Sequence, residues 1–357
     1  MRGTVRGRRR GAVLALTALL LAGCGSGGPE PVAAPAPTST AAPTTAVPTP
    51  PPAPQPVAPL TGLPVAAVEA RPALAVKIEN PPIARPQAGL TEADIVWEQV
   101  VEGGTSRFVA VYQSRLPASI GPVRSTRPMD PAIAAPLHGL FATSGGQGQY
   151  LSAVVDSGLQ LFSFDAGDDG FARQGPRQAP HNVYLDPAPL LAAADADHRA
   201  APAAQFGYAP TAGTQTTVAQ GTAASGLDLR LSPEATPSWT WDPVGRTWAR
   251  SESGTPATAA DGARVTATNV VVLRVEVVAT DAVDPAGNAV PETLLAGRGG
   301  EALVATAGRT VPATWTKGAD GDPVVLTAPD GTPVLLAPGT TWVELVPTGG
   351  GTVAVVP

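Results

Sequence analysis

The chain has 357 residues, a net charge of −6, one cysteine and three histidines. Five arginines fall in the first ten residues, so a chain without that segment carries −11, which excludes a general nucleic-acid binder and a polybasic membrane anchor. A single cysteine excludes an internal disulfide, and the length admits one large domain or two small ones.

Residues 1–23 read as an export signal. Arg2, Arg6, Arg8, Arg9 and Arg10 precede an apolar run from Ala12 to Ala22, too short to span a bilayer as a mature helix. Leu21-Ala22-Gly23-Cys24 then resembles a bacterial lipoprotein cleavage site, with Cys24 as the lipidated first residue. The membrane is thus a predicted partner, reached through lipid, and the expected location is extracytoplasmic. Residues 24–59 are rich in Pro, Ala and Thr, without an apolar period, and read as a disordered tether. At about 3.1 Å per residue, such a spacer reaches on the order of 100 Å.

Order is expected from near Leu60. Residues 60–200 form a first region, 201–226 a linker or long loop, and 227–357 a β-rich second region. In the first region, Asp94 to Gln113 contains two strand-like runs meeting at Gly103-Gly104, predicted as a two-residue hairpin turn. That turn sets Glu102 opposite Thr105 and Val100 opposite Arg107. Alternation then puts Glu98, Glu102 and Arg107 on one face and Ile95, Trp97, Gln99, Ser106 and Phe108 on the other. Two carboxylates beside an arginine suit a site, and equally suit a solvated face of weak ion pairs.

Ile120-Gly121-Pro122 signals a turn, and Asp130-Pro131 reads as an N-cap followed by proline at the first helical position. Arg124 and Arg127 precede that helix, where arginine forks suit an anion or tie the loop to the core. Phe141 to Gln149 reads as a strand and a Gly-rich loop, with a helix from about Tyr150. The loop lacks the Gly-Lys-Ser/Thr of a phosphate-binding loop. Pro180-His181-Asn182 closes the region. His138, His181 and His198 lack metal-ligand spacing, and no cofactor is implied.

In the second region, Asp242-Pro243-Val244-Gly245 marks a turn between tryptophan-bearing strands, Val265 to Val278 is strand-like, and Asp330-Gly331 marks a hairpin. Thr341 to Val346 reads as the last strand. The tryptophans are expected in the core, given the area each must bury.

Several motifs in order carry a family resemblance: Arg71 to Asn80, Ala84-Arg85-Pro86-Gln87-Ala88-Gly89-Leu90, Ala93 to Glu98, Glu102 to Phe108, Ile120 to Arg127 and Ala179-Pro180-His181-Asn182. Trp248-Ala249-Arg250, Asn269-Val270-Val271-Val272, Gly297 to Gly300 and Pro338 to Trp342 extend it through the second region. They resemble the YerB-like lipoproteins, a family filed as a domain of unknown function. The resemblance departs at Trp97, where the family usually has Tyr, and at Ser106. It implies an extracytoplasmic lipoprotein with an α/β (α+β) body, a layered β-β-α type sandwich. It implies no activity.

The polar residues favour a binding module over an enzyme, because standard catalytic motifs are missing. Arg85, Gln87, Arg107, Arg124 and Arg127 would donate to an anionic or glycan ligand of the envelope, or to an envelope protein. Glu98, Glu102, His181 and Asn182 would complete the cleft. The alternative is a cofactor-free wall-glycan hydrolase or lyase with Glu98 and Glu102 as acid and base, since glycosidase carboxyl pairs sit roughly 5 to 9.5 Å apart.

Overall fold

The computed structural model describes Gly28 and residues 55–357. The predicted export signal, Cys24 and, apart from Gly28, the predicted tether as far as residue 54 lie outside the described residues. Regular structure starts slightly before Leu60: Val57 and Pro64 form a β-bridge, and Ala58 is buried.

Fourteen strands carry the argument. In the first region they are β1 (Leu74–Glu79), β2 (Ile95–Val100), β3 (Ser106–Tyr112), β4 (Leu140–Thr143) and β5 (Gln160–Ser163). The second region supplies β6 (Gly226–Arg230), β7 (Pro237–Asp242), β8 (Thr247–Glu252), β9 (Asn269–Val283), β10 (Arg298–Thr306), β11 (Arg309–Lys317), β12 (Val325–Thr327), β13 (Thr341–Pro347) and β14 (Thr352–Val356). The chain therefore goes one strand beyond Thr341 to Val346, which is not the last.

One sheet of 12 strands runs through both regions, in the order β12-β11-β10-β9-β13-β2-β3-β1-β4-β5 along its main path. The junction is the parallel pair β2–β13, in which Trp97 faces Val343 and Glu98 faces Glu344. A second sheet of six strands contains β8-β7-β6-β14, all antiparallel.

The central sheet is covered on both faces, so its strands are nearly continuously apolar. On one face Val76, Ile78, Phe108, Ala110 and Trp342 pack against Leu227, Leu229, Trp239 and Trp248 of the second sheet. On the other, Ala75, Trp97, Val109, Val111 and Val343 meet Met129, Ile133 and Ala134 at the helix Asp130–Ala134, and Val154 of the helix Gly148–Asp156. The result is an α+β fold of stacked layers, sheet on sheet with short helices on the far side, and a β-rich C-terminal region.

Five of the six tryptophans are buried, at 6% exposure or less. Residues 201–226 pack on the body. Phe206 stacks on Trp97 with ring centroids 6.3 Å apart, and Gly207–Tyr208 pairs with Leu335–Leu336. Asp130 opens its helix one position later than an N-cap. Met129 is the N-cap, and the Asp130 carboxylate turns back to accept from the Arg127 amide and the Thr126 hydroxyl.

Candidate functional site

The β2–β3 hairpin forms, with its pairing displaced by one residue from the sequence expectation. Val100 faces Ser106 and Gln99 faces Arg107. The connection is longer than two residues: Val101 N–H donates to the Thr105 carbonyl, and Gly103 and Gly104 both adopt positive φ, 66° and 72°. A one-residue shift exchanges the faces of one strand relative to the other. Glu98 therefore shares a face with Ser106 and Phe108, whereas Arg107 shares one with Trp97 and Gln99. Glu98 and Glu102 do not share a face, which removes the paired-carboxylate geometry expected of a glycosidase.

Glu98 points toward the second sheet and meets Arg250 of β8. Arg250 is 1% exposed and donates to three carboxylates: Nε to Glu252 at 2.8 Å, Nη1 to Glu344 at 2.6 Å, and Nη2 to Glu98. Three aromatic rings enclose the guanidinium, with Cζ 4.6 Å from the Trp342 centroid, 5.3 Å from Trp239 and 5.5 Å from Phe108. Trp239 Nε1–H donates to Glu344, Ser106 donates to Glu98, and Asn80 bridges Ser106 and Glu98. Burial pulls the Arg250 pKa down, but Glu252, Glu98 and Glu344 outweigh it and leave it above the usual arginine value. Glu252 is shared with Arg85, but Arg250 alone does not balance both Glu98 and Glu344. Burial pushes Glu98 up to about 8, and the adjacent Glu344 adds to that rise against the pull of Arg250. Glu98 thus keeps its proton at neutral pH.

This network forms part of the wall of a cleft of about 430 Å³ between the two sequence regions. One wall is the loop after β1, with Pro82, Arg85, Pro86, Gln87 and Leu90. The other is the second sheet and its turns, from Arg250 through Thr258, with Val265. Phe108 and Trp342 give the cleft apolar lining. Arg85, with a quarter of its side chain exposed, reaches Glu252 at 3.2 Å and the Asn80 carbonyl at 2.9 Å. Gln87 is buried and donates to Asn80 and to the Glu79 carbonyl. The Ala260 amide donates to the Gln87 carbonyl and ties the walls together. Size and composition are those of a small-molecule pocket: apolar lining, with few polar groups at fixed positions.

The remaining predicted site residues gather elsewhere. Glu79, next to Asn80, forms an ion pair with Arg124, whose Nε lies 2.9 Å away, and contacts His181 Nδ1 at 2.9 Å. Glu102 pairs with Arg127 and lies 3.7 Å from Arg107. Asn182 is held by Arg173 and the Arg177 carbonyl. Of the nine predicted ligand-binding residues, only Arg85 and Gln87 line the cleft. Glu98 lies in the network at its wall; of the other six, Arg124 and His181 contact Glu79, Arg107 and Arg127 contact Glu102, and Asn182 sits apart with Arg173 and Arg177.

Sequence reasoning missed Lys77, Glu79, Asn80, Asp130, Arg250, Glu252 and Glu344. Lys77 is fully buried on Asp130 at 2.6 Å, and Gln99 donates to the same carboxylate at 2.7 Å. Burial lowers the Lys77 pKa to about 8 against the pull of Asp130. A usable signal existed: Arg250 and Glu252 share the strand parity of Trp248, and Glu344 that of Trp342. Charges spaced by two from a buried tryptophan point into the same core.

Two family descriptions match the chain. "Protein of unknown function (DUF3048) N-terminal domain" matches residues 60–200, and the corresponding C-terminal domain matches residues 227–343. "Putative lipoprotein YerB" of Bacillus subtilis (strain 168) is 38% identical over 133 residues, which cover 36% of this chain and 39% of that protein. The crystal structure of the YerB protein from Bacillus subtilis superposes with a TM-score of 0.69 at 24% identity, covering 84% of this chain and all of that one. That likeness shows a shared fold, and with the two family matches it places the chain in the DUF3048 family, that of the YerB-like lipoproteins.

Proposed function

We propose that this protein is a lipid-anchored extracytoplasmic binding module whose Arg85 cleft holds a small, part-apolar ligand of the cell envelope with an anionic group. The cleft carries this reading. It has the volume and apolar lining of a ligand site, Arg85 stands in its wall as a partly exposed cation, and Glu252, its carboxylate, is already held by Arg250 and Arg85. A carboxylate already paired with two arginines is engaged by the protein itself rather than free to act on a ligand. The cleft is therefore suited to holding a ligand rather than transforming it. Asn80 and Gln87 fix Arg85 and its loop, so little ordering is required on binding.

The anchor rests on the leader and on the named lipoprotein relative. Cys24→Ser is expected to move the protein from the membrane pellet to the soluble fraction on cell fractionation, because no other segment was read as an anchor. Retention in the pellet would remove lipid from the proposal.

The ligand is tested by thermal unfolding of the mature protein with muropeptides, which carry free carboxylates and apolar peptide side chains. At a hundred times the dissociation constant, the stabilisation is about 2.7 kcal/mol. Ala257→Trp, which fills the cleft without touching its charges, is expected to abolish the shift. A shift of unchanged size in that variant, or none in the parent protein, rejects the cleft as the muropeptide site.

A further inference from the structure

We infer that Arg107, Arg124 and Arg127 form a second site, separate from the cleft, that takes a phosphate group. The three arginines come from β3 and from the loop that precedes the helix Asp130–Ala134. They face two carboxylates, Glu79 and Glu102, which leaves one positive charge in excess. The Lys77–Asp130 pair on the same face of the sheet is neutral as a unit. A further acid within electrostatic reach of Arg127 is Asp284, which is partly exposed and makes no ion pair with it among the described residues.

Hydrogen-bond donors are in excess as well. Arg107 gives Nη1 to the Ser125 carbonyl at 2.9 Å and has only the 3.7 Å contact with Glu102 besides. Arg124 lies against Glu79 as an ion pair, with Nε 2.9 Å from the carboxylate, and among the described residues nothing accepts a hydrogen bond from its guanidinium. Two buried groups register the uncompensated charge. Arg107 is pushed down to about 9, by burial first and then by Arg127, with Arg124 adding to the effect. Lys77 is lowered mainly by burial, and Arg107 and Arg127 both add.

The recess selects a compact anion. Arg107 and Arg127 are 8% and 9% exposed, and Arg124 presents 22% of its side chain. A flat lipid surface does not reach groups that deep, so a compact oxyanion, met first by the exposed part of Arg124, suits them better. Guanidinium forks bind such oxygens in pairs, and Glu79 and Glu102 hold two of these forks in orientation beforehand. The same chemistry is supplied by free phosphate and by the phosphodiester groups of an envelope polymer.

Isothermal titration of the mature protein with inorganic phosphate, and separately with soluble poly(glycerol phosphate), tests the site. Saturable binding is expected that weakens as salt is raised and falls at least tenfold in Arg124→Gln. Arg124 is the most exposed of the three, so this variant keeps the fold, which its melting temperature checks. Ala257→Trp is expected to leave phosphate binding unchanged, so this site and the cleft can fail independently. Tighter binding of the polymer per phosphate assigns the source to a polymer, and equal binding assigns it to the free ion. No saturable heat with either probe, or equal affinity in Arg124→Gln, overturns the assignment.

Discussion

Arg250→Met is expected to destabilise the protein by about 3–5 kcal/mol, the cost of removing one partner from a buried ionic network. Among the described residues Arg250 is the one cation in contact with Glu98 and Glu344, both 0% exposed, so its loss strands two buried carboxyl groups. Those groups then either take up protons or draw water into a core enclosed by Phe108, Trp239 and Trp342. Methionine replaces much of the volume, so the loss reports charge more than packing. The triple variant Arg250→Met, Glu98→Gln, Glu344→Gln is expected to recover a large part of the stability, because a neutral network no longer needs the guanidinium. Urea unfolding of the three proteins measures both changes. A loss below about 1 kcal/mol in Arg250→Met would mean that the network contributes little more than a surface ion pair.

The network also shows why the sequence revealed only part of this site. Strands and turns were legible because they are local. Asp242-Pro243-Val244-Gly245 does connect β7 to β8, with Asp242 opposite Thr247, and Asp330-Gly331 does turn the chain between Val325–Thr327 and the bridge at Pro333. The β2–β3 register was not legible. An amphipathic hairpin declares its register by its apolar face, but here both faces are buried, and a two-residue Gly103-Gly104 turn is one residue too tight. That single displacement misplaced Glu98. Its true partners lie far along the chain, Arg250 at 152 positions and Glu344 in the strand beside it. No local pattern encodes that meeting. The tryptophans come closest, since Trp248 and Trp342 mark the inward parity of the strands that supply Arg250, Glu252 and Glu344. The arginines around Glu79 and Glu102 were legible as a group, because the motifs Glu102 to Phe108 and Ile120 to Arg127 are dense in them. The cleft was legible only at Arg85 and Gln87, since its opposite wall comes from a different sheet.

Stability is expected to fall as pH rises from about 4.5 to about 8, and Glu98→Gln should remove much of that fall. Glu98 has an ordinary value of 4.5, raised to about 8 in the fold, chiefly by burial. Between those values the folded protein retains a proton that the unfolded chain has released, so each step up in pH favours unfolding. Below 4.5 both states are protonated and the contribution is complete. Above 8 both are ionised and it is gone. Asp94, also raised by burial, acts in the same direction, so the test is the difference between the parent protein and the variant rather than the slope of either alone. Glutamine at position 98 resembles the protonated acid. It accepts from Arg250 and can donate to Glu344, whose Oε2 has no other partner among the described residues. The variant is therefore expected to be near the parent at pH 5 and more stable at pH 8, by a few kcal/mol if the whole shift is realised. Melting temperatures of both proteins from pH 4 to pH 9 measure this directly. Parallel curves would mean that Glu98 does not carry the proton and that its burial is compensated within the network.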